Sequence, residues 1–357
     1  MTHERFNAIT GKYGQLSVAV VGDFCLDRYL EIDPARQEIS IETGLPVHNV
    51  VNVRKQPGGA GTILNNLSAL GVGKIFPVGF AGEDGEGYEL RRALAARSGV
   101  LLDYFLTTSD RCTFTYCKPL LVEQGKTPRE LNRLDQKNWT PTPASVSEAL
   151  GAAAVSLADK VDAIALLSQV DQPETGVLTM QVLETLKKIG RAKPSQLILA
   201  DSRHSLRGFP PVAFKMNAAE LAAFTGMSSA TEIPVISAAA LELARRNGQP
   251  VFVTLAERGI VGALPNGTTD HITSLPLRGE IDIVGAGDSV TANLTVALAT
   301  GATLREAIGW PTRLRPSLFT NSARLEPLLW SRFGHWLVRH YFGTVHSILV
   351  SAVLIKQ

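Results

Sequence analysis

The chain has 357 residues, of which 45% are hydrophobic and 19% are charged, a composition that excludes a disordered protein and indicates a globular one. Its length suits one large α/β domain or two small domains. The three cysteines form no C-x-x-C pair, the first residues form no apolar leader, and no apolar run reaches the roughly 18 residues of a membrane span. We therefore predict a cytoplasmic protein.

The net charge of +2 is unevenly distributed. Residues 309–357 contain six Lys or Arg and one Glu, a net charge of +5, whereas the rest of the chain carries −3. The same segment contains three of the four tryptophans. A basic, aromatic segment is compatible with nucleic-acid binding, and nothing before residue 309 indicates that function.

The first predicted element is an apolar strand, Leu16–Val21, that ends in Gly22-Asp23. It is typical of a buried parallel strand whose loop lies at the carboxyl edge of an open α/β sheet, where ligands bind. Asp27 follows closely. It is either a ligand-binding acid or a solvated loop residue.

Two stretches have an extended character. Tyr29–Val53 has no helical period and alternates between apolar and polar residues near its end, and Thr113–Val122 is similar. They predict strands that form either surface hairpins or a small β lid.

Two glycine-containing segments lie between and after these strands, and they lead to different predictions. Pro57-Gly58-Gly59-Ala60-Gly61 opens a predicted helix that extends to about Leu70. Gly125-Lys126-Thr127 is not a P-loop, because Leu120 occupies the position of the required first glycine and no helical run follows.

The middle of the chain alternates between helical and strand patterns. The predicted elements are a helix over 145–157, a strand over 163–168, a helix over 176–189 and a strand over 196–201. This rhythm predicts an α/β fold with a doubly wound, mostly parallel sheet flanked by helices.

Further along, Asn217 and Glu220 lie three residues apart at the start of a predicted helix, where they suit a capping pair. Val251–Leu255 is another predicted strand.

The segment 281–289 places Gly285, Gly287 and Asp288 at the mouth of a helix predicted from Ser289 to Thr300. Glycines at a helix N-terminus let backbone amides approach a phosphate. An acid there would repel the phosphate but could accept a proton from an attacking hydroxyl. Asp288 is therefore either a general base or an N-cap residue.

These motifs, in this order over residues 16–308, resemble the PfkB (ribokinase-like) carbohydrate kinase family. Gly285-Ala286-Gly287-Asp288 is similar to the family signature. The resemblance implies that Asp288 is the catalytic base and that Gly285, Ala286 and Gly287 form the anion hole. It also implies one kinase domain over 1–308, with lid segments at about 28–55 and 111–135 through which a homodimer could form.

The acceptor side most resembles the heptose 7-phosphate kinase branch, through G-D-F-C-L-D-R-Y from Gly22 and P-G-G-A from Pro57. The resemblance implies that Asp27, Gly58 and Gly59 bind the sugar. Arg133, in R-L-D, either meets the substrate or forms a surface ion pair. Two departures concern the same pocket: Thr62 replaces an asparagine, and Cys25 replaces a polar residue of the ribokinase branch.

The nucleotide side is similar to the family in three places. Asn217 and Glu220 match its N-x-x-E motif, which supports Mg2+ and the phosphates through water. Thr254 and Gly259 match a phosphate-contacting turn, T-x-G-x-x-G, in which Ala256 replaces the first glycine. Asp282 matches an acid near a monovalent-cation site. The resemblance thus implies ATP and Mg2+ as cofactors, with K+ as a further cation.

From Gly309 the family pattern stops, although a nucleotide-binding helix is expected there. When the tail is back-translated and read one nucleotide out of frame, it becomes L-A-N-A-A-A-S-L-V-V-H-Q-L-G-T-T-G-T-A, which is what the family has at this point. One deleted nucleotide would explain the charge, the tryptophans and the lost pattern together. We therefore interpret 309–357 as an aberrant, out-of-frame tail.

The sequence predicts ATP-dependent phosphorylation of a hydroxyl on a small-molecule sugar or sugar phosphate, with neither nucleic acid nor membrane as a partner. Two alternatives remain open. One is a nucleoside kinase of the same fold, and the other is a nucleotide-binding protein whose catalysis is impaired by the altered C-terminus.

Overall fold

The computed structural model describes residues 2–227, 232–274 and 285–309. Its strands are β1 (Ser17–Gly22), β2 (Phe24–Ile32), β3 (Glu38–Ile39), β4 (Pro46–Val47), β5 (Val50–Gly59), β6 (Lys74–Gly82), β7 (Phe105–Thr108), β8 (Phe114–Leu121), β9 (Arg129–Glu130), β10 (Leu134–Gln136), β11 (Ala163–Ser168), β12 (Leu197–Ser202), β13 (Ala213–Asn217), β14 (Val251–Thr254), β15 (Ile260–Ala263) and β16 (Thr269–Ile272). Its helices are α1 (His3–Thr10), α2 (Ala60–Ala69), α3 (Gly85–Ala95), α4 (Ala144–Ala158), α5 (Met180–Ala192), α6 (Ala218–Thr225), α7 (Ile233–Asn247), α8 (Ala286–Ala299) and α9 (Leu304–Gly309).

In the described parts of the chain, nine strands form a main sheet with the order β16-β15-β14-β13-β12-β11-β1-β6-β7. The pairs from β14 to β7 are parallel, whereas β15 and β16 pair antiparallel at one edge. The strands β1, β11 and β12 are almost wholly buried, as strands are when helices cover both faces of a sheet. The predicted α/β fold with a mostly parallel sheet is confirmed.

The core lies on both faces of the main sheet. On one face, Ala19 and Val21 of β1 belong to a cluster that includes buried residues of α4, α5 and α7. On the other face, Val18 and Val20 belong to a cluster with α2, α3 and α8. Helices α2 and α8 pack against each other on this second face, and Gly285 at the start of α8 lies against Thr62 in the first turn of α2.

Two helices begin at residues other than those that the sequence pattern predicted. The helix predicted from Gly176 begins at Met180, because Thr179 is its N-cap and the preceding segment bonds elsewhere in the fold. The helix predicted from Ser289 begins at Ala286, with Gly285 as its N-cap.

A second sheet, called the small sheet, has the order β10-β8-β2-β5, and β9 also pairs with β8. Only Asp23 separates β1 from β2, so the small sheet continues directly from the carboxyl edge of the main sheet. Most of β2 and β5 and all of β8 and β9 lie within 28–55 and 111–135. The role of these segments as a lid stays a prediction.

The first and last described helices are joined by a side-chain clamp. Arg5 of α1 donates to both carboxylate oxygens of Glu306 in α9, at 2.9 and 3.0 Å, and to the carbonyl oxygen of Gly301 at 2.9 Å. The hydrogen bond from Arg5 lowers the pKa of Glu306 to about 2. Gly309 ends α9, and the rest of the predicted aberrant tail lies outside the described residues.

No helix in the described part of the chain is long and apolar enough to cross a membrane.

Candidate active site

The first turn of α8 carries the predicted anion hole and base. Gly285 is the N-cap, with φ 80°, a left-handed conformation that favours glycine. Ala286, Gly287 and Asp288 follow as the first three helical residues. The first backbone amides of a helix have no partner within the helix, so this end can bind an anion. Asp288 is not the N-cap residue, and that alternative is wrong.

A buried ion pair lies against this helix end. The Nζ atom of Lys215 donates to Oδ2 of Asp201 at 2.7 Å, and the two side chains are 7% and 8% exposed. Thr291 of α8 donates to the same oxygen at 2.9 Å. A Cβ atom on Gly287 would lie 2.9 Å from Lys215 Nζ, so the glycine leaves room for the ammonium group. The helix end therefore lies against the ammonium group of an ion pair in which Asp201 neutralises Lys215.

Burial and the neighbouring charges set the pKa of the Asp288 carboxyl group. Removal from water raises the pKa of its carboxyl group to about 7. Repulsion from Asp201 adds to the rise, and the Lys215 ammonium opposes it. A carboxyl group with this pKa exchanges its proton near neutral pH, which suits a general base.

The predicted acceptor glycines form a close contact between β5 and β2. A Cβ atom on Gly58 would lie 2.8 Å from Oδ2 of Asp27 and 2.9 Å from Sγ of Cys25. Gly59 has φ 57°, and a Cβ atom there would lie 2.4 Å from the carbonyl oxygen of Asp23. Larger residues would push the two strands apart, so this turn requires both glycines.

Asp27 is paired across the small sheet. Its Oδ1 atom lies 3.3 Å from Nζ of Lys118 on β8, and both side chains are largely buried. Burial raises the pKa of Asp27, and Lys118 opposes the rise. Lys118 therefore favours the ionised form of Asp27, which is the form that accepts hydrogen bonds from sugar hydroxyls.

The acceptor turn and the anion hole meet through α2. A Cβ atom on Gly285 would lie 3.1 Å from Cγ2 of Thr62, the residue that replaces the family's asparagine. Asp27 is also among the groups that raise the pKa of Asp288, after burial and Asp201. The predicted acceptor residues therefore lie close to the predicted base.

Asn217 and Glu220 form a complete capping box on α6. The Asn217 side chain accepts from the Glu220 amide at 2.9 Å, and the Glu220 carboxylate accepts from the Asn217 amide at 2.7 Å. Thr254 pairs with Asn217 in the neighbouring strand, so both residues reach the same edge of the sheet. Within the described residues no group of three or more His, Cys, Asp or Glu side chains could hold a metal ion directly.

The turn between β14 and β15 contains Gly259 and Ala256. Gly259 has φ 95°, and a Cβ atom there would lie 1.8 Å from the carbonyl oxygen of Ile272, so only glycine fits. Ala256 also has a positive φ, of 53°. It has therefore kept the backbone conformation that suits the glycine it replaces.

Arg133 makes the ion pair that one alternative predicted. Its guanidinium donates to both oxygens of Asp135, at 2.7 and 2.8 Å, and lies 5.0 Å from the ring centre of Tyr116. It also counts among the charges that oppose the burial-raised pKa of Asp27. Asp282 lies outside the described residues, so its place in the site stays a prediction.

Sequence reasoning missed the residues that complete the charge pattern, which are Asp201, Lys215, Thr291 and Lys118. One signal was present: Lys215 is a charged residue inside the apolar strand Ala213–Asn217. A lysine in a buried strand requires a buried partner. Its partner on β12 could not be identified, because the pairing of β12 with β13 is set by the fold.

A sequence profile described as pfkB family carbohydrate kinase matches residues 15–312. The chain is similar to Bifunctional protein HldE of Azorhizobium caulinodans, with 30% identity over 82% of this chain and 58% of that protein. It is also similar to Bifunctional protein HldE of Nitrobacter hamburgensis, with 33% identity over 87% of this chain and 60% of that protein. The chain thus spans less than two thirds of these relatives.

The fold is similar to that of Arabidopsis thaliana ribokinase, solved in complex with ribose and ATP. The TM-score is 0.58 at 20% identity, over 83% of this chain and 90% of the ribokinase. The order of motifs, the fold and the profile match agree. The chain belongs to the pfkB family of carbohydrate kinases.

Proposed function

We propose that this chain transfers the γ-phosphoryl group of ATP to a hydroxyl of a sugar or sugar phosphate, with Asp288 as the general base. One observation carries the proposal: Asp288, whose pKa is raised to about 7, lies in the first turn of α8 beside the backbone amides of the helix end. A base and an anion site at one helix end are what an in-line transfer to a hydroxyl requires.

The order of the strands supports two separate ligand sites in this proposal. Thr254 and Asn217 end β14 and β13 on one side of β12. Asp23 follows β1 on the other side, and β2 carries Asp27. Helix α8 packs against β11 and β12, between these groups. The proposal therefore places the nucleotide on the β13–β14 side and the acceptor on the β1 side.

On the acceptor side, Asp27 and the Gly58-Gly59 turn would hold sugar hydroxyls, with Arg133 near the opening. Asp288 would take the proton from the attacking hydroxyl. The amides of Gly285, Ala286 and Gly287, together with Lys215, would stabilise negative charge on the transferred group.

On the nucleotide side, the phosphates would lie at the helix end formed by Gly285, Ala286 and Gly287, against which Lys215 packs. Asn217, Glu220, Thr254 and Gly259 would hold the nucleotide and its Mg2+, the first two through water. When bound, Mg2+ neutralises charge on the phosphate oxygens. Asp282 would lie near a K+ site.

We also propose that 309–357 is an out-of-frame tail that impairs the nucleotide side. The family profile ends at residue 312, which supports a change of pattern at this point. By the same resemblance, the heptose 7-phosphate class is the expected acceptor, and the small sheet is the expected lid and dimer contact.

The proposal is tested by phosphoryl transfer from ATP to ribose, fructose 6-phosphate, a heptose 7-phosphate and adenosine. Sugar or sugar phosphate turnover is expected, and preference for adenosine would support the nucleoside kinase alternative. Binding of ATP without turnover of any acceptor would support the impaired nucleotide-binding protein.

Asp27→Ala separates the two ligand sites. Its loss leaves sugar hydroxyls without a partner at a cost of about 1 to 3 kcal/mol. Calorimetry should therefore show weaker sugar binding and nearly unchanged ATP binding. Equal losses for both ligands would remove Asp27 from the sugar site.

A further inference from the structure

Helix α8 has a buried polar face. Ser289, Thr291, Asn293 and Thr295 are each at most 1% exposed. Asn293 and Thr295 donate to the carbonyl oxygens of the residues four positions before them, so these bonds stay within the helix. Thr291 differs, because its hydroxyl lies 2.9 Å from Oδ2 of Asp201 on β12. This contact has no part in the proposed phosphoryl transfer.

The single proton of the Thr291 hydroxyl has two acceptors within reach. The carbonyl oxygen of Gly287 lies 3.2 Å away, and the carboxylate oxygen of Asp201 lies 2.9 Å away. The carboxylate is both nearer and charged, and charge-assisted hydrogen bonds are the stronger ones. Thr291 therefore donates to Asp201, and this bond ties α8 to β12 three residues after Asp288.

Asp201 is also bonded to Lys215. The Lys215 ammonium donates to the same carboxylate oxygen at 2.7 Å. It also lies against the first turn of α8, since a Cβ atom on Gly287 would be 2.9 Å from Nζ. One carboxylate oxygen therefore connects β12, β13 and the helix turn that carries Asp288.

Apolar packing holds the later turns of α8 but not the first. The buried apolar residues of this helix are Ala292, Leu294, Val296 and Ala297, all of which follow Thr291. The hydrogen bond from Thr291 to Asp201 is therefore placed where it can fix the position of the first turn.

We infer that Thr291 is a positioning residue, which acts through Asp201 to hold the first turn of α8 in register with Lys215 during phosphoryl transfer. The inference rests on the proposed function and deepens it. The base and the amides of this turn must be aligned with the transferred group, and a displacement of about 1 Å can lower a rate about 10²-fold.

Thr291→Val is the first test, made in the full chain, because valine keeps the shape of the side chain and removes the hydroxyl. With the best acceptor of the four-compound panel, kcat should fall about tenfold or more. The Kd values of ATP and of the acceptor should change by less than about threefold, since the misplaced groups act mainly on the transition state. A lower Tm with unchanged kcat would overturn the inference.

Thr295→Val is the matched control. Thr295 lies one turn further along α8, is equally buried, and donates to the carbonyl oxygen of Thr291 at 2.7 Å. The same exchange there removes a hydrogen bond within the helix, so it should lower Tm and leave kcat within about twofold of wild type. Equal losses of kcat in the two variants would overturn the positioning role.

Two further comparisons keep the test valid if Thr291→Val does not fold. Thr291→Ser keeps the hydroxyl and Thr291→Ala removes it, so kcat should be about tenfold lower in the alanine variant. Equal rates would overturn the inference. In an Asp201→Asn background, removal of the Thr291 hydroxyl should cost less than about threefold, because the charge-assisted bond is already lost. A full tenfold loss there would overturn the link through Asp201.

ADP with aluminium fluoride, a mimic of the transferred group in the transition state, gives a readout that needs no turnover. Thr291→Val should weaken this complex about tenfold and leave the affinity for ADP alone within about twofold. A wild-type chain that neither phosphorylates a panel compound nor binds aluminium fluoride with ADP would overturn both the inference and the proposed function. Wild-type activity or binding that Thr291→Val leaves unaffected would overturn the inference alone.

Discussion

Asp288 lies at the predicted catalytic position, in surroundings that disfavour its ionised form. Its pKa in the folded chain is about 7, above the ordinary value of 3.8. The protonated form is therefore bound more tightly by the folded state. The stability that the folded state gains by binding this proton is complete below about pH 4. It is lost as the pH rises through 7 and Asp288 ionises.

Asp288→Asn should therefore lower turnover by about 10²- to 10⁴-fold, the usual contribution of a positioned base. ATP binding should persist. The wild-type rate should rise with pH through about 7, because the base must be ionised, and the variant should lose this dependence. Above pH 7 the variant should also melt at a higher temperature than the wild type. Turnover within threefold of wild type would show that another group is the base.

Lys215 lowers the pKa of Asp288 and neutralises Asp201. Lys215→Met should therefore move the acidic limb of the pH–rate profile to higher pH. It should also destabilise the fold by about 3 to 5 kcal/mol, the usual effect of removing one partner from a buried ion pair.

Lys187→Met provides the control for this change. Lys187 forms an ion pair with Glu184 at 2.9 Å on the surface of α5, with the two side chains 34% and 50% exposed. Its removal should change stability by less than about 1 kcal/mol and leave the pH profile unmoved. An unmoved profile in Lys215→Met as well would contradict the electrostatic role of Lys215.

At the scale of elements, the turn between β14 and β15 holds an alanine in a conformation that favours glycine. Ala256→Gly should stabilise the chain by about 1 kcal/mol, since a non-glycine residue pays roughly 1 to 2 kcal/mol for left-handed backbone. Thermal unfolding would show a higher Tm.

The same alanine-to-glycine substitution inside a helix should change the stability of the fold in the opposite direction. Ala152 is exposed in α4, and Ala152→Gly should destabilise the chain by about 1 kcal/mol. Two variants with the same sign would mean that backbone strain at Ala256 does not govern its stability effect.

Hydrophobic pattern predicted the elements well wherever a segment is buried on one face or on both. The strand predicted over 163–168 is β11 to the residue, and the helix predicted over 145–157 differs from α4 by one residue at each end. The helix predicted from Gly176 began too early. The amide of Val177 donates to the side chain of Asp23, and a hydrogen bond to a residue 154 positions away leaves no local signal in the sequence.

In the candidate site, too, local features could be predicted from the sequence, whereas contacts between distant segments could not. The local motifs predicted the first turn of α8, the Gly58-Gly59 turn and the capping box of Asn217 and Glu220. Asp201 with Lys215, and Asp27 with Lys118, are pairs between neighbouring strands. Strand order decides such pairs, and a single sequence does not contain that order.

At the scale of the whole molecule, the nucleotide half of the proposed reaction depends on the main sheet and the acceptor half on the small sheet, and we expect the C-terminal residues to affect the nucleotide half. Restoring one nucleotide near codon 309 should raise both kinase rate and Tm. Pro311 removes a helix donor and restricts Trp310 before it. Arg313 and Arg315 introduce charge where the shifted frame supplies small and apolar residues. Equal rates and equal melting temperatures for the two proteins would mean that the tail is a working part of the protein.

The clamp between Arg5 and Glu306 closes a contact across 301 residues of sequence. Such a contact cannot form on a ribosome until residue 306 has been synthesised, so Arg5 must wait without this partner while the main sheet is made. Contacts of this separation are slow to form because they carry a large loop-closure entropy. The clamp is therefore a late step in folding, and Arg5→Ala should speed unfolding far more than it slows folding.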